Sequence, residues 1–249
     1  MNLGALLSEL RGNVLRDDAE LASGPSDHLW SDESLVRYIN DAYLRFARRT
    51  LALRDASTPE VVEVPLDAGV SLYELHASIL SVVSARYDVD TNDLTRVGRA
   101  IMQYMTPPDP INFDPTSPAA MTPGRPIAFG TDETVENGGR VSLTVWPAPS
   151  STEAGKIVHL RVARKPLVPF TLDDVEAECE LPDEYQIDML EWAAYRAQNT
   201  SDVDGASAMA EKHKERFEAT VAEVLRDMRR KMFAPLQFQY GRNGFTWSA

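Results

Sequence analysis

Residues able to do chemistry are few in this 249-residue chain, and they stand apart. The four histidines, His28, His76, His159 and His213, are distant from one another in sequence, and none has a metal-ligand neighbour at useful spacing. His213 falls on the apolar stripe of a helical repeat, where a hydrogen-bonded core histidine is expected. Asp88, Asp90 and Asn92 imitate the opening of a calcium loop. The sixth position of that loop is Asp93 instead of glycine and the twelfth is Arg99 instead of glutamate, which removes both the turn and the bidentate ligand. Asp17 with Asp18, and Asp183 with Glu184, are sequence neighbours whose side chains diverge, so neither pair suits acid/base work. Cys179, the single cysteine, lies between Glu178 and Glu180, which raise a thiol pKa and suppress its reactivity. There is no glycine-rich phosphate loop, no H-E-x-x-H and no G-x-S-x-G. An enzyme is not expected, and neither a metal nor a cofactor is expected.

The residues offer surfaces instead. The net charge of -13 argues against a dedicated nucleic-acid binder. Nine acids and no Lys or Arg fall between Thr171 and Glu191, among them Asp173, Asp174 and Glu176. Such a block is either a solvated loop with acids at a helix start, or a surface that must not adhere to another acidic object. Arg226, Arg229, Arg230 and Lys231 read as the basic end of a long helix, suited to its dipole or to acids on a neighbouring copy. The last sixteen residues, 234–249, carry one charge, Arg242. Leu236, Phe238 and Tyr240 alternate with glutamines, and Phe245 and Trp247 follow. This segment is too short for a sheet of its own and too apolar for a solvated tail. It folds back on its own domain or adds to another subunit or protein.

These surfaces must be held by elements that the pattern also predicts. Leu3, Leu6, Leu7, Leu10 and Leu15 recur at helical spacing over 3–16. Ser31 is an N-cap, with Asp32 and Glu33 in the first turn and Trp30 and Leu35 as a hydrophobic staple. Leu35, Ile39, Ala42, Tyr43 and Phe46 form the buried stripe of that helix, which should run to about Leu53. The period then changes. Val61 to Leu66, Ile79 to Tyr87, Pro126 to Gly130, Val141 to Trp146 and Ile157 to Ala163 read as strands, with 147–155 joining the last two as a hairpin. Leu94 to Met105 reads as a short helix. Residues 106–126 hold seven prolines and form a long, stiff loop. After Pro182, Ile187, Leu190, Ala194 and Ala197 recur at helical spacing. A second helix, from about Val203 to Met232, carries Met209, His213, Phe217, Val221, Leu225, Met228 and Met232, and should pack antiparallel to the first. The fold class is thus α+β: an antiparallel helical bundle from 1–58 and 171–233, an inserted β-rich antiparallel domain from 59–170, and an extended tail from 234–249. Met1 to Asp17 has no apolar stretch long enough for a secretory signal, and no run of eighteen apolar residues spans a membrane.

Two segments carry a resemblance. Trp30-Ser31-Asp32-Glu33-Ser34-Leu35-Val36-Arg37-Tyr38-Ile39-Asn40-Asp41-Ala42, followed by Phe46-Ala47-Arg48-Arg49-Thr50, resembles the opening helix of bacteriophage head-to-tail adaptor proteins. Leu181-Pro182-Asp183-Glu184-Tyr185 through Leu190, Ala193, Ala194, Tyr195, Arg196 and Ala197 is similar to a later helix of the same family. The order of helices, β insertion, second helix pair and tail also fits. The resemblance implies a structural virion protein, made in the host cytoplasm. It implies a ring, commonly a dodecamer, joining the portal to the tail protein below, with double-stranded DNA passing through the lumen without specific binding. It also implies bundle roles for the two motifs and docking on the portal for 234–249.

Two other readings remain. One is a tail-completion or tail-tube ring. The other is a small ligand-binding module lined by Tyr104, Phe113, Phe129 and Trp146, with its tail packed on its own domain.

Overall fold

The structure, a computed structural model, describes residues 1–17, 29–98, 123–133, 139–200, 206–232, 239–241 and 244–246. Helices and predominantly antiparallel strands combine in an α+β fold. Two compact units divide the chain, residues 1–52 with 168–249, and residues 53–167.

In the first unit, Asn2 caps helix α1 (Leu3–Glu9) by accepting from the Ala5 amide at 2.9 Å. The expected helix to residue 16 is not regular. From Leu10 to Leu15 it widens into a π-type turn and stops at Arg16 in a left-handed conformation. Gly12 and Asn13, both poor helix formers, fall in that stretch. Leu3, Leu6, Leu10 and Leu15 are buried. Helix α2 (Asp32–Thr50) begins as its sequence dictates, with Ser31 Oγ accepting from the Ser34 amide at 3.3 Å and two acids facing the positive end of the dipole. It ends at Thr50, before Leu53, because Leu51 turns left-handed.

The second unit holds two four-stranded sheets. In one, β8 (Ile157–Arg164) pairs along one edge with β4 (Ile79–Tyr87). Its other edge carries β1 (Arg54–Asp55) and β2 (Glu63–Pro65). The other sheet runs β3 (Leu72–Glu74), β7 (Val141–Trp146), β6 (Ala128–Glu133) and β5 (Thr95–Arg96). Their inward rows meet in a single core: Val82, Val158, Leu160 and Val162 from the first sheet, Phe129, Leu143 and Val145 from the second.

Several expectations are corrected here. The strand from Val61 opens instead as one helical turn, α3 (Pro59–Val62), because Pro59 presets the first helical position and the amides of Val61 and Val62 both reach the Thr58 carbonyl. No hairpin joins β7 to β8, since the two lie in different sheets. Both strands alternate, but their apolar rows face one core from opposite sides, a pattern that pairing strands would also show. The helix from Leu94 fails at its start, where Thr95 and Arg96 form β5, parallel to Ala128 and Phe129, and the Leu94 amide bonds Ala85. Residues 99–105, and the proline-rich loop up to Thr122, lie outside the described residues.

The first unit ends at Ala52 because the next residues join the sheet, with β1 on β8 and the Arg164 amide bonding the Leu53 carbonyl. Asp55 anchors β1 within this sheet. It is buried, its Oδ2 accepts from Arg164 Nε at 2.7 Å, and its Oδ1 accepts from the amides of Ser57 and Thr58 at 2.9 and 3.1 Å. Burial pushes the carboxyl pKa up, but these donors and the guanidinium outweigh it and hold it well below the usual carboxylate range. A depressed carboxylate stabilises fully above the unfolded value, about pH 4, and loses that contribution as the pH falls below it. Asp55→Ala should therefore cost about 3–5 kcal/mol at neutral pH by removing the carboxylate that faces the buried Arg164 guanidinium. In denaturant unfolding of the full chain, the gap between wild type and variant should narrow between pH 5 and about pH 2.

Candidate functional site

The helical unit is held by aromatic rings contributed from both ends of the chain. Phe46 of α2 is fully buried and meets Phe217 edge-on at 6.1 Å and Tyr185 at 5.8 Å between ring centroids. Phe217 in turn packs 5.3 Å from Trp192. These rings come from α4 (Asp183–Gln186), α5 (Leu190–Asn199) and α6 (Ala206–Met232). Helices α5 and α6 run antiparallel: Tyr195 lies under Lys214, Trp192 beside Phe217, and Asp188 feels Glu223.

Most motif residues serve this packing. Trp30, Leu35, Ile39, Ala42, Phe46, Leu181, Leu190 and Ala194 are all buried. Trp30 also donates its indole N–H to the Ala197 carbonyl at 3.1 Å, which ties the start of α2 to the end of α5. Ser31 is exposed as the cap. Pro182 is exposed and precedes α4, while Tyr185 is half-buried, its hydroxyl pKa pushed up to about 12 by burial and by Glu184. Two stripe residues are corrected. Ile187 is half exposed because the helix is interrupted between Gln186 and Leu190. Met209 is also exposed, since the buried row on α6 runs through Ala206, Ala210, His213, Phe217, Val221 and Val224.

His213 is a buried histidine bonded through Nδ1 to Glu191 Oε2 at 2.6 Å. Cys179 is buried, and burial first, then Glu180, push its thiol pKa up against bonds from the Leu181 amide and Tyr43. Among the described residues, no group of three His, Cys, Asp or Glu side chains could hold a metal ion, and no helix is long and apolar enough to cross a membrane. Of the pocket residues of the ligand-module reading, Phe129 is buried in the sheet core and Trp146 is half-buried; Tyr104 and Phe113 lie outside the described residues.

The acidic block is clamped from beneath. Asn40 of α2 bonds both backbone groups of Phe170, donating to its carbonyl at 2.9 Å and accepting from its amide at 2.8 Å, while Tyr43 stacks on the Phe170 ring. Further on, the first amides of α1, which have no partner within a helix, find carbonyls of the block. Leu3 donates to Ala177 at 3.0 Å and Gly4 to Val175 at 2.9 Å. Burial then Cys179 and Glu180 raise the Tyr43 hydroxyl pKa well above its ordinary value, so it stays neutral and accepts from the Glu180 amide at 2.8 Å. Asp173, Asp174 and Glu176 remain exposed, with Glu176 accepting from Asn2 at 2.7 Å. Asn40 and its clamp went unrecognised in the sequence; an amide placed beside the apolar stripe of α2 was the available signal.

Near the C-terminus of α6, Arg226 bonds the Ala222 carbonyl and Arg230 lies 3.6 Å from Asp227 on its own helix. The side chains of Arg229 and Lys231 are outside the described residues. In 234–249, the single extended strand is corrected. Gln239–Gly241 (β9) and Gly244–Thr246 (β10) pair antiparallel, with Tyr240 opposite Phe245. Gly241 and Asn243-Gly244 are residue types that favour a chain reversal. Leu236, Phe238 and Trp247 lie outside the described residues.

Helices from both parts of the chain close one unit, strands form the other, and the motif residues are spent on packing. The chain belongs to the SU10 adaptor protein family, whose model matches residues 1–239, and is thus a structural protein of the phage head-to-tail adaptor class. No curated protein matches it.

The aromatic contact generates a direct test. Phe46→Ala should lower stability by about 3–5 kcal/mol, seen as a drop in Tm by circular dichroism. Trp30→Phe, which keeps an aromatic ring but loses the N–H donor to Ala197 and part of the buried volume, should cost less, about 1–3 kcal/mol.

Proposed function

We propose that copies of this chain assemble into the ring, a dodecamer, that joins the portal to the tail and through which the genome passes. The observation that carries this reading is the family match over residues 1–239, together with motif residues spent on packing and not on chemistry. The helices of the two chain ends make the ring-building bundle. The acidic block Asp173, Asp174 and Glu176 faces basic residues of the next copy. The segment 234–249, with Leu236, Phe238, Tyr240, Phe245 and Trp247, docks on the portal. A chain of net charge -13 offers no excess of Lys and Arg to grip phosphate, so double-stranded DNA slides through without specific binding. The far side of the ring receives the tail protein.

The test is co-elution with the portal ring of the same phage, by size exclusion with light scattering. Full-length protein should bind in ring stoichiometry, and a version ending at Phe233 should not. Equal binding by both would remove the tail from its anchoring role. Binding by neither would bring forward the tail-completion ring or the ligand module.

A further inference from the structure

Two patches on the helical unit are complementary in charge and lie on adjoining sides of α2. The first is the ridge 168–176. Its backbone is pinned by Asn40, Tyr43 and the start of α1, so the side chains it turns outward are presented in a fixed arrangement. Val168 is 72% exposed, and Leu172 and Val175 are also exposed, interleaved with Asp173 and Asp174. Neither of those two carboxylates has an ion-pair partner among the described residues. Three apolar side chains held in water beside two unpaired acids suit a partner that is apolar and basic at once.

The second patch is such a surface. Arg37, Asp41, Leu44, Arg45 and Arg48 recur at three and four along α2, in one stripe. A groove runs between Asp41, Leu44, Arg45, Arg48 and Arg49. Leu44 is exposed at its centre. The Arg45 guanidinium is parked 3.8 Å from the Trp192 ring, and its Nε is buried with no hydrogen-bond partner. Arg49 is engaged by Glu218, whereas Arg48 is exposed and has no acid partner among the described residues. Tyr43 is turned ~100° from Leu44 and Asn40 ~100° from Asp41, so the residues that hold the ridge border the groove along α2. No ion pair joins Asp173 or Asp174 to Arg45 or Arg48 within one copy among the described residues, whereas two such patches can meet between copies as a repeating head-to-tail contact.

We infer that the ridge 168–176 of one copy seats in the α2 groove of a second copy of this chain, with Leu172 and Val175 against Leu44 and Asp173 and Asp174 against Arg48 and Arg45. This rests on the ring reading and names its interface. It assigns the partner of the acids to α2 in place of the basic end of α6, where Arg226 and Arg230 already bond within their own helix. The excess of 38 acids over 25 bases makes copies repel overall, so their contact depends on this local complementarity.

The test pairs new cysteines in full-length protein assembled with the portal ring, using the fact that the native Cys179 is buried. Arg48→Cys combined with Asp174→Cys should give, under mild oxidation, a ladder of cross-linked copies rising to the full ring; either variant alone should give none. Separately, Arg48→Glu and Asp174→Arg should each weaken assembly roughly tenfold by charge reversal, and their combination should recover it. If wild type reaches ring stoichiometry on the portal but the cysteine pair gives no ladder and the reversed pair no recovery, this interface is wrong and the ring reading stands. If wild type does not assemble at all, the ring reading fails and takes this interface with it.

Discussion

The contact of Phe46 with Phe217 and Tyr185 is the constraint on which the helical unit depends. Phe46 belongs to the first fifth of the chain and its partners to the last third, so the core cannot close until the chain has passed through the whole β-rich unit and returned. The cost of closing so long a loop grows only slowly with its length, which is why a large insertion is compatible with a single helical core. What must be supplied is a dense apolar contact at the point of return. Full burial of Phe46, Phe217, Leu35, Ile39, Met189 and Leu190 supplies it.

That closure also explains where the polar groups lie. With one stripe of α2 committed to the rings, Asn40 and Tyr43 beside it are free to hold the backbone of 170–180, and Arg45 can rest on the outer face of Trp192. The Arg45 position is consistent with its flat guanidinium, which is weakly hydrated and stacks on an aromatic face at little cost. The helix thus organises an acidic ridge on one side and an arginine stripe on another. Single-sign clusters of this kind destabilise an isolated copy slightly and favour contact with a complementary one.

Sequence was most informative where one physical effect dominated. Ser31, Asp32 and Glu33 announce the start of α2 through capping and dipole chemistry; alternation fixes Val141–Trp146 at both ends, and a run of β-branched and apolar residues marks Ile79–Tyr87 although two register shifts break its period. It misled where two structures share a pattern. Val141, Leu143 and Val145 alternate as Val158, Leu160 and Val162 do, but alternation reports only that one face is buried, not which strand lies alongside. Pro59 and Thr58 overrode the β-branched run at Val61 and Val62, because a preset first turn needs only two carbonyl contacts to form. The aromatic and arginine residues of the candidate surfaces were visible, but their pairings were not. Arg45 on Trp192 and Asn40 on Phe170 join residues more than a hundred positions apart, and no local period encodes them.

The C-terminal strands bear on the same question from another direction. β9 and β10 have three residues each, and two strands of that length are at best marginal in water without a further surface. Their outer edges carry backbone groups that a third strand or a groove can satisfy. Apolar residues flank them in sequence, Leu236 and Phe238 before and Trp247 after, so a partner that pairs an edge would also bury aromatic area. The helical unit, by contrast, has its core closed by its own side chains. This supports reading 234–249 as the docking element and the helical unit as the part that meets its own copies.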